Sequence, residues 1–215
     1  MMSGGSTMSM MWMRMPGQTW LGVAASFLSM WTVMMAAMML PSLVPMLMRY
    51  RQVVSKTTEA RLHALTALVG VGYFVVWTLL GAVVFPLGVA IAATAIPQPK
   101  IAVGLVVLIA ASLQFTAWKA RRLAWCRETH GSALTPDARA AWRYGLCLGI
   151  HCAESCAGLM AILLVIGVMD LRAMSVVTAA IIIERLASNG QRAARAIGAI
   201  GVGAGLFMIA LAARI

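Results

Sequence analysis

Residues Trp20–Leu40 read WLGVAASFLSMWTVMMAAMML, a run without a single charge. In a helix, about 20 such residues at about 1.5 Å of rise each cross the roughly 30 Å hydrocarbon core of a bilayer. Five further apolar runs follow: Ala64–Leu87, Ile101–Trp118, Tyr144–Val168, Ala173–Ala187 and Ala196–Ala212. The third is near the lower length limit, and the fifth is short and carries Glu184. The pattern predicts an all-α, polytopic membrane helical bundle of about six transmembrane helices. A Met-rich segment over 1–19 precedes a single membrane domain over 20–215.

Composition agrees. Of the 215 residues, 62% are hydrophobic and 11% charged, whereas soluble domains run near half apolar and a quarter charged. The formal charge of +11 raises the question of nucleic acid. Its cations lie between the apolar runs rather than on one face, and no basic–aromatic motif accompanies them, so nucleic acid is not an expected partner. Between the runs they meet anionic lipid headgroups and set orientation. The segment before Trp20 carries only Arg14 and no small-residue cleavage site, so no cleavable secretory signal is read.

The connections alternate in charge. The first carries Arg49, Arg51, Lys56 and Arg61. The third carries Lys119, Arg121, Arg122, Arg127, Arg139 and Arg143, and the fifth Arg185, Arg192 and Arg195. Thirteen of the 17 Lys and Arg residues therefore fall on one side. Arg14, Lys100, Arg172 and Arg214 remain on the other. Cytoplasmic loops carry the Lys/Arg excess, so both termini are expected on the outer, periplasmic face of a bacterial cytoplasmic membrane. In the sixth run Gly201 and Gly205 stand four apart, the spacing of close helix packing. That spacing serves the bundle itself or a dimer face.

Methionine is concentrated in two places. Met8, Met10, Met11, Met13 and Met15 form M-x-M arrangements near the N-terminus. Thioethers are soft, uncharged ligands that select Cu(I) and need no deprotonation, which suits capture at an outer face; an incidental Met-rich tail is the other reading. In the first run, Met30, Met34 and Met38 repeat at four, as do Met35 and Met39, making a stripe along one side. Such a stripe is either packing or a ligand face. Pro41 and Pro45 are expected to end that span.

The fourth run contains Cys147, His151, Cys152, Glu154 and Cys156. A carboxylate within hydrocarbon costs at least about 2.5 kcal/mol on insertion scales, so Glu154 is expected to be paired, neutralised or bound. Thiols and imidazole supply N/S ligands for a soft or borderline ion, copper or zinc. At about 100° per residue, Cys152 and Cys156 share one face, while Cys147, His151 and Glu154 share another about 150° away. One mononuclear site cannot easily use all five. The thiols are a two-thiolate clamp or buried apolar residues; His151 and Glu154 are an ion path or a structural pair. With the orientation above, Met35, Met38 and Met39, the Cys/His segment and Glu184 fall at similar depth, as a shared intramembrane site requires. Glu184 and adjacent Arg185 also fit an interfacial ion pair.

The run Trp31–Pro41 with its paired methionines resembles the first-helix signature of the bacterial predicted metal-binding integral membrane protein family. Cys152-x3-Cys156, Gly158-Leu-Met160, Gly167-Val-Met169 and Glu184-Arg185 resemble its C-terminal half. The resemblance implies a helical membrane protein with a metal site and supplies no mechanism. His151 and Glu154 stand here where the family pattern carries a denser Cys cluster, which leaves the metal open.

The leading expectation is a membrane protein that binds or moves Cu(I) through Met, Cys and His ligands. The rival is a non-catalytic structural or assembly subunit of a larger redox or photosynthetic membrane complex, held by partner membrane subunits. No P-loop and no nucleophile–base–orienter set is present to support an enzyme.

Overall fold

The described residues of each apolar run are helical over most of their length. The structure, a computed structural model, describes residues 19–55, 57–93, 100–119, 121, 136–167, 170–187 and 189–213. The helices are α1 (Trp20–Val53), α2 (Glu59–Ala93), α3 (Lys100–Ser112), α4 (Ala138–Ile166), α5 (Leu171–Leu186) and α6 (Gly190–Ala212), with a 3-10 turn at Leu113–Phe115. Among the described residues there is no strand. Four helices, α1, α2, α4 and α6, are long and apolar enough to cross a membrane. At about 1.5 Å per residue, the 13 residues of α3 and 16 of α5 fall short of a roughly 30 Å core.

Local chemistry explains the helix starts. Thr19 caps α1, its Oγ1 accepting from Gly22 N at 3.2 Å. Asp170 caps α5, its Oδ1 accepting from Arg172 N at 2.8 Å and Ala173 N at 3.2 Å. Each side-chain oxygen satisfies a backbone donor that the first turn leaves orphaned. Ahead of Asp170, Gly167 takes φ 136°, a left-handed conformation that glycine adopts without a Cβ clash.

Two sequence-based boundaries are corrected. Pro41 and Pro45 do not end the first span: α1 continues through both to Val53. A proline in a packed apolar helix is tolerated where neighbouring groups re-satisfy the freed backbone. The third run is not one unbroken helix to Trp118. It tightens at Leu113–Phe115 and turns at Thr116, whose Oγ1 then accepts from Lys119 N at 3.3 Å.

Glycine sets the closest pairings. A Cβ on Gly145 of α4 would sit 2.4 Å from Val69 O of α2, and one on Gly149 would sit 3.0 Å from Tyr73 O. The α3–α6 pair meets the same way, Gly205 against Leu108 N and Gly198 against Ala111 O. Gly198, Gly201 and Gly205 therefore pack against α3 inside the bundle, whereas Gly203 meets nothing within 4 Å. Between α1 and α2, Trp31 Nε1 donates to Trp77 O at 2.9 Å and the Thr32 and Thr78 hydroxyls meet at 3.2 Å. Large apolar side chains such as Leu21, Val83, Val176, Ile200 and Phe207 face outward.

Candidate metal centre

The largest core cluster joins α1, α2, α4 and α5. Met34, Met35, Met38 and Met39 come from α1, Tyr73 and Trp77 from α2, Cys152 and Cys156 from α4, and Val177 and Ile181 from α5. Helical repeat groups the methionine stripe on one face of α1 and the thiol pair on one face of α4, and burial shows that both faces point inward. Met35, Met39 and Cys152 have no solvent exposure, and Cys156 has 2%.

The two faces then meet through sulfur. Cys152 Sγ lies 3.9 Å from Met39 Sδ, and Cys156 follows one turn along the same face of α4. Tyr73 Oη lies 2.8 Å from Cys152 Sγ. With the thiol hydrogen directed at Met39, the tyrosine hydroxyl is the donor of that pair. Thiolate sulfur binds metal at about 2.3 Å, so two sulfurs of one three-coordinate ion stand about 4 Å apart, the spacing seen between Cys152 and Met39. Two thiols and a thioether make a soft donor set of the type that selects Cu(I). Among the described residues no group of three or more His, Cys, Asp and Glu could hold a metal.

A polar layer borders the thiols. Lys119 Nζ pairs with Glu184 Oε2 at 2.8 Å and donates to Ser155 O. Ser155 Oγ donates to Cys152 O at 2.9 Å, accepts from Arg185 Nη2 at 3.1 Å, and lies 3.8 Å from Cys156 Sγ. Lys119 and Glu184 are buried, with 4% and 2% exposure. Glu184 is thus not interfacial: at 2% exposure it lies inside the bundle. Glu184 pairs with Lys119 inside the bundle, because the break after Ser112 delivers Lys119 to α5, while Arg185 reaches Ser155 on α4.

The other predicted residues lie elsewhere. His151 Nδ1 meets Glu154 Oε2 at 3.2 Å on a half-buried face of α4, and Cys147 is intermediate in burial. His151 is not brought to the thiol pair, because one residue along a helix turns about 100°. Met8, Met10, Met11, Met13 and Met15 lie outside the described residues.

The sequence model of the copper chaperone family PpoB2 matches residues 28–208. The chain belongs to this copper chaperone family. Neither the curated proteins nor the solved structures yield a match. The matched range holds the methionine stripe, Tyr73, the thiol pair and the Lys119–Glu184 layer. Membership of a copper chaperone family agrees with the expectation of a copper-related role and lends none to zinc.

Sequence reasoning missed Tyr73 and Lys119. Tyr73 reads as one more aromatic in an apolar run. Lys119 follows an apolar run directly and reads as a loop cation. Its one clue is the preceding Ser112-Leu-Gln-Phe-Thr116, which places three polar side chains at the end of a span.

Proposed function

We propose that this chain is a multi-pass protein of the bacterial cytoplasmic membrane that holds Cu(I) as cargo on Cys152, Cys156 and Met39. Met35 and Met38 stand beside them as further thioethers. The observation that carries the reading is the 3.9 Å approach of Met39 Sδ to Cys152 Sγ, between helices far apart in sequence and wholly out of water. Core packing alone does not call for two thiols and a thioether at one point, and the copper chaperone family supports copper over other soft ions.

Chemically, the thiols lose their protons on binding and the thioether does not have to. The ion is held by covalent thiolate bonds and one weaker neutral ligand, a set that retains Cu(I) yet lets a competing thiol displace Met39 first. Such ligand exchange suits delivery to a partner. In the orientation read from the loop charges, the N-terminal methionines Met8, Met10, Met11, Met13 and Met15 stand outside and collect the ion, and the bundle site receives it. Four long apolar helices and an outward-facing apolar surface support insertion in the bilayer. His151, Glu154 and Cys147 take no part in this site.

The test is metal analysis of full-length protein purified in detergent and loaded anaerobically. The wild type is expected to retain about one Cu(I) per chain against a competing chromogenic chelator. Cys152→Ser with Cys156→Ser should lose it. Met39→Leu should keep the ion but bind it at least about tenfold more weakly, the usual effect of disturbing one member of a metal's shell. Unchanged copper in the double serine variant would refute the assignment.

A further inference from the structure

We propose that Cu(I) reaches the thiol pair along a ladder of sulfur atoms inside the bundle, with Met160 as the step before the thiols. The proposal rests on the copper reading above and adds to it the route by which the site fills. Helix α4 carries Cys152, Cys156 and Met160 at intervals of four. Each interval turns the face by only about 40° and rises about 6 Å. Met160 is the one methionine in the sequence of α4, and it falls on this row. On α1, Met39 and Met35 repeat at the same interval. All five side chains belong to one core cluster.

The two rows run in opposite directions. Helix α1 runs against α2, since Trp31 and Thr32 meet Trp77 and Thr78 whereas Tyr50 packs with Leu65 and Val69. Helix α4 runs with α2, Gly145 approaching Val69 and Gly149 approaching Tyr73. Met39 stands against Cys152. One turn forward on α4 to Cys156 therefore accompanies one turn back on α1 to Met35, and a further turn reaches Met160. The ladder thus climbs towards the start of α1, the end to which the Met-rich residues 1–19 are joined in sequence. Exposure falls in the same order, 7% at Met160, 2% at Cys156 and 0% at Cys152. Beyond Met160, partly buried Met174 in the first turn of α5 packs against the same cluster.

Packing alone does not call for this row. Helix α2 lines the same core with Tyr73 and Trp77, yet none of its 35 residues is methionine. An unliganded cation in an apolar core is very costly, so a thiol site out of water needs ligands along its approach. Thioethers supply them without losing a proton. At the last step the Cu–S bond to Met160 breaks as the Cu–S bond to Cys156 forms, and the Cys156 proton leaves to solvent. Cys152 then binds in the same way. Copper stays Cu(I) throughout. An anionic thiolate holds a cation better than a neutral thioether does, so the ion moves inward.

The experiment mixes full-length protein in detergent with Cu(I) anaerobically and measures both the loading rate and the copper retained at saturation. Met160→Leu keeps the volume and removes the sulfur. It should slow loading by about tenfold, as a change beside a metal's own ligands does, with retained copper unchanged. Met160→Cys keeps sulfur but leaves a gap. It should load faster than Met160→Leu. A residue that only packs would give the reverse order, because leucine fills the space and cysteine leaves a cavity. Met46→Leu, on the far side of Met39 from the start of α1, should load like the wild type. Equal rates in the wild type and Met160→Leu, or slower loading of Met160→Cys than of Met160→Leu, overturn the proposal. Loss of retained copper in Met160→Leu as complete as in the double serine variant would make Met160 a resident ligand and overturn it too. Failure of the wild type to bind Cu(I) refutes the copper reading itself; thiol-bound Cu(I) that loads at a rate indifferent to Met160 refutes only the route.

Discussion

The sulfur of Cys152 has neighbours from two other helices, the Tyr73 hydroxyl at 2.8 Å and the Met39 thioether at 3.9 Å. Tyr73 is fully buried, so its hydroxyl needs a partner, and the thiol sulfur supplies it. The hydrogen bond orients Cys152 towards Met39 before any ion arrives. Tyr73→Phe removes the hydroxyl and preserves the ring. Because a hydrogen bond of this kind contributes about 0.5–1.5 kcal/mol net, Cu(I) binding should weaken by about 2- to 13-fold in a chelator competition, with the fold retained. Equal affinity would mean that the hydroxyl has no part in the site. The thiol pair and the methionine stripe were legible because helical periodicity assigns them to faces. Tyr73 and Lys119 were not, since their roles depend on which helix lies opposite, and periodicity within one helix carries no such information.

Helix α4 is placed by the glycines that let α2 approach it. A Cβ at Gly145 would fall 2.4 Å from Val69 O, whereas one at Gly70 meets nothing within 4 Å. Backbone cannot move aside as a flexible side chain can, so Gly145→Ala should destabilise the protein by about 1–3 kcal/mol through overpacking. Its thermal transition in detergent should fall while that of Gly70→Ala does not. Since Tyr73 and Cys152 lie on this same α2–α4 seam, Gly145→Ala should also weaken copper binding. A variant as stable as the wild type would mean that the seam can open at little cost. The helices themselves were legible as apolar runs. Their interruptions were less so, and for opposite reasons: Pro41 and Pro45 signal a stop that α1 overrides within its packed surroundings, whereas the break after Ser112 carries no proline or glycine to announce it.

For the molecule as a whole, orientation decides the direction in which copper meets the site. If all six helices cross, although only four among the described residues are long and apolar enough by themselves, the thirteen cations gathered in the first, third and fifth connections put those loops in the cytoplasm by the positive-inside tendency. The opposite face then receives the N-terminal methionines. A single cysteine introduced at Ser3 in a chain otherwise free of cysteine reports this directly. A membrane-impermeant maleimide should label it in intact spheroplasts, and a cysteine placed at Ser132 only after lysis. The reverse pattern would put the Met-rich segment in the cytoplasm, where it would receive copper from inside the cell. The buried thiol–thioether site would survive that inversion, because its geometry does not depend on which face is outside. Capture from the periplasm would not survive it. Deleting residues 2–15 separates the two further. It should slow loading of the bundle from dilute Cu(I) while leaving the copper retained at saturation unchanged, because the methionines it removes act before the ion reaches Cys152.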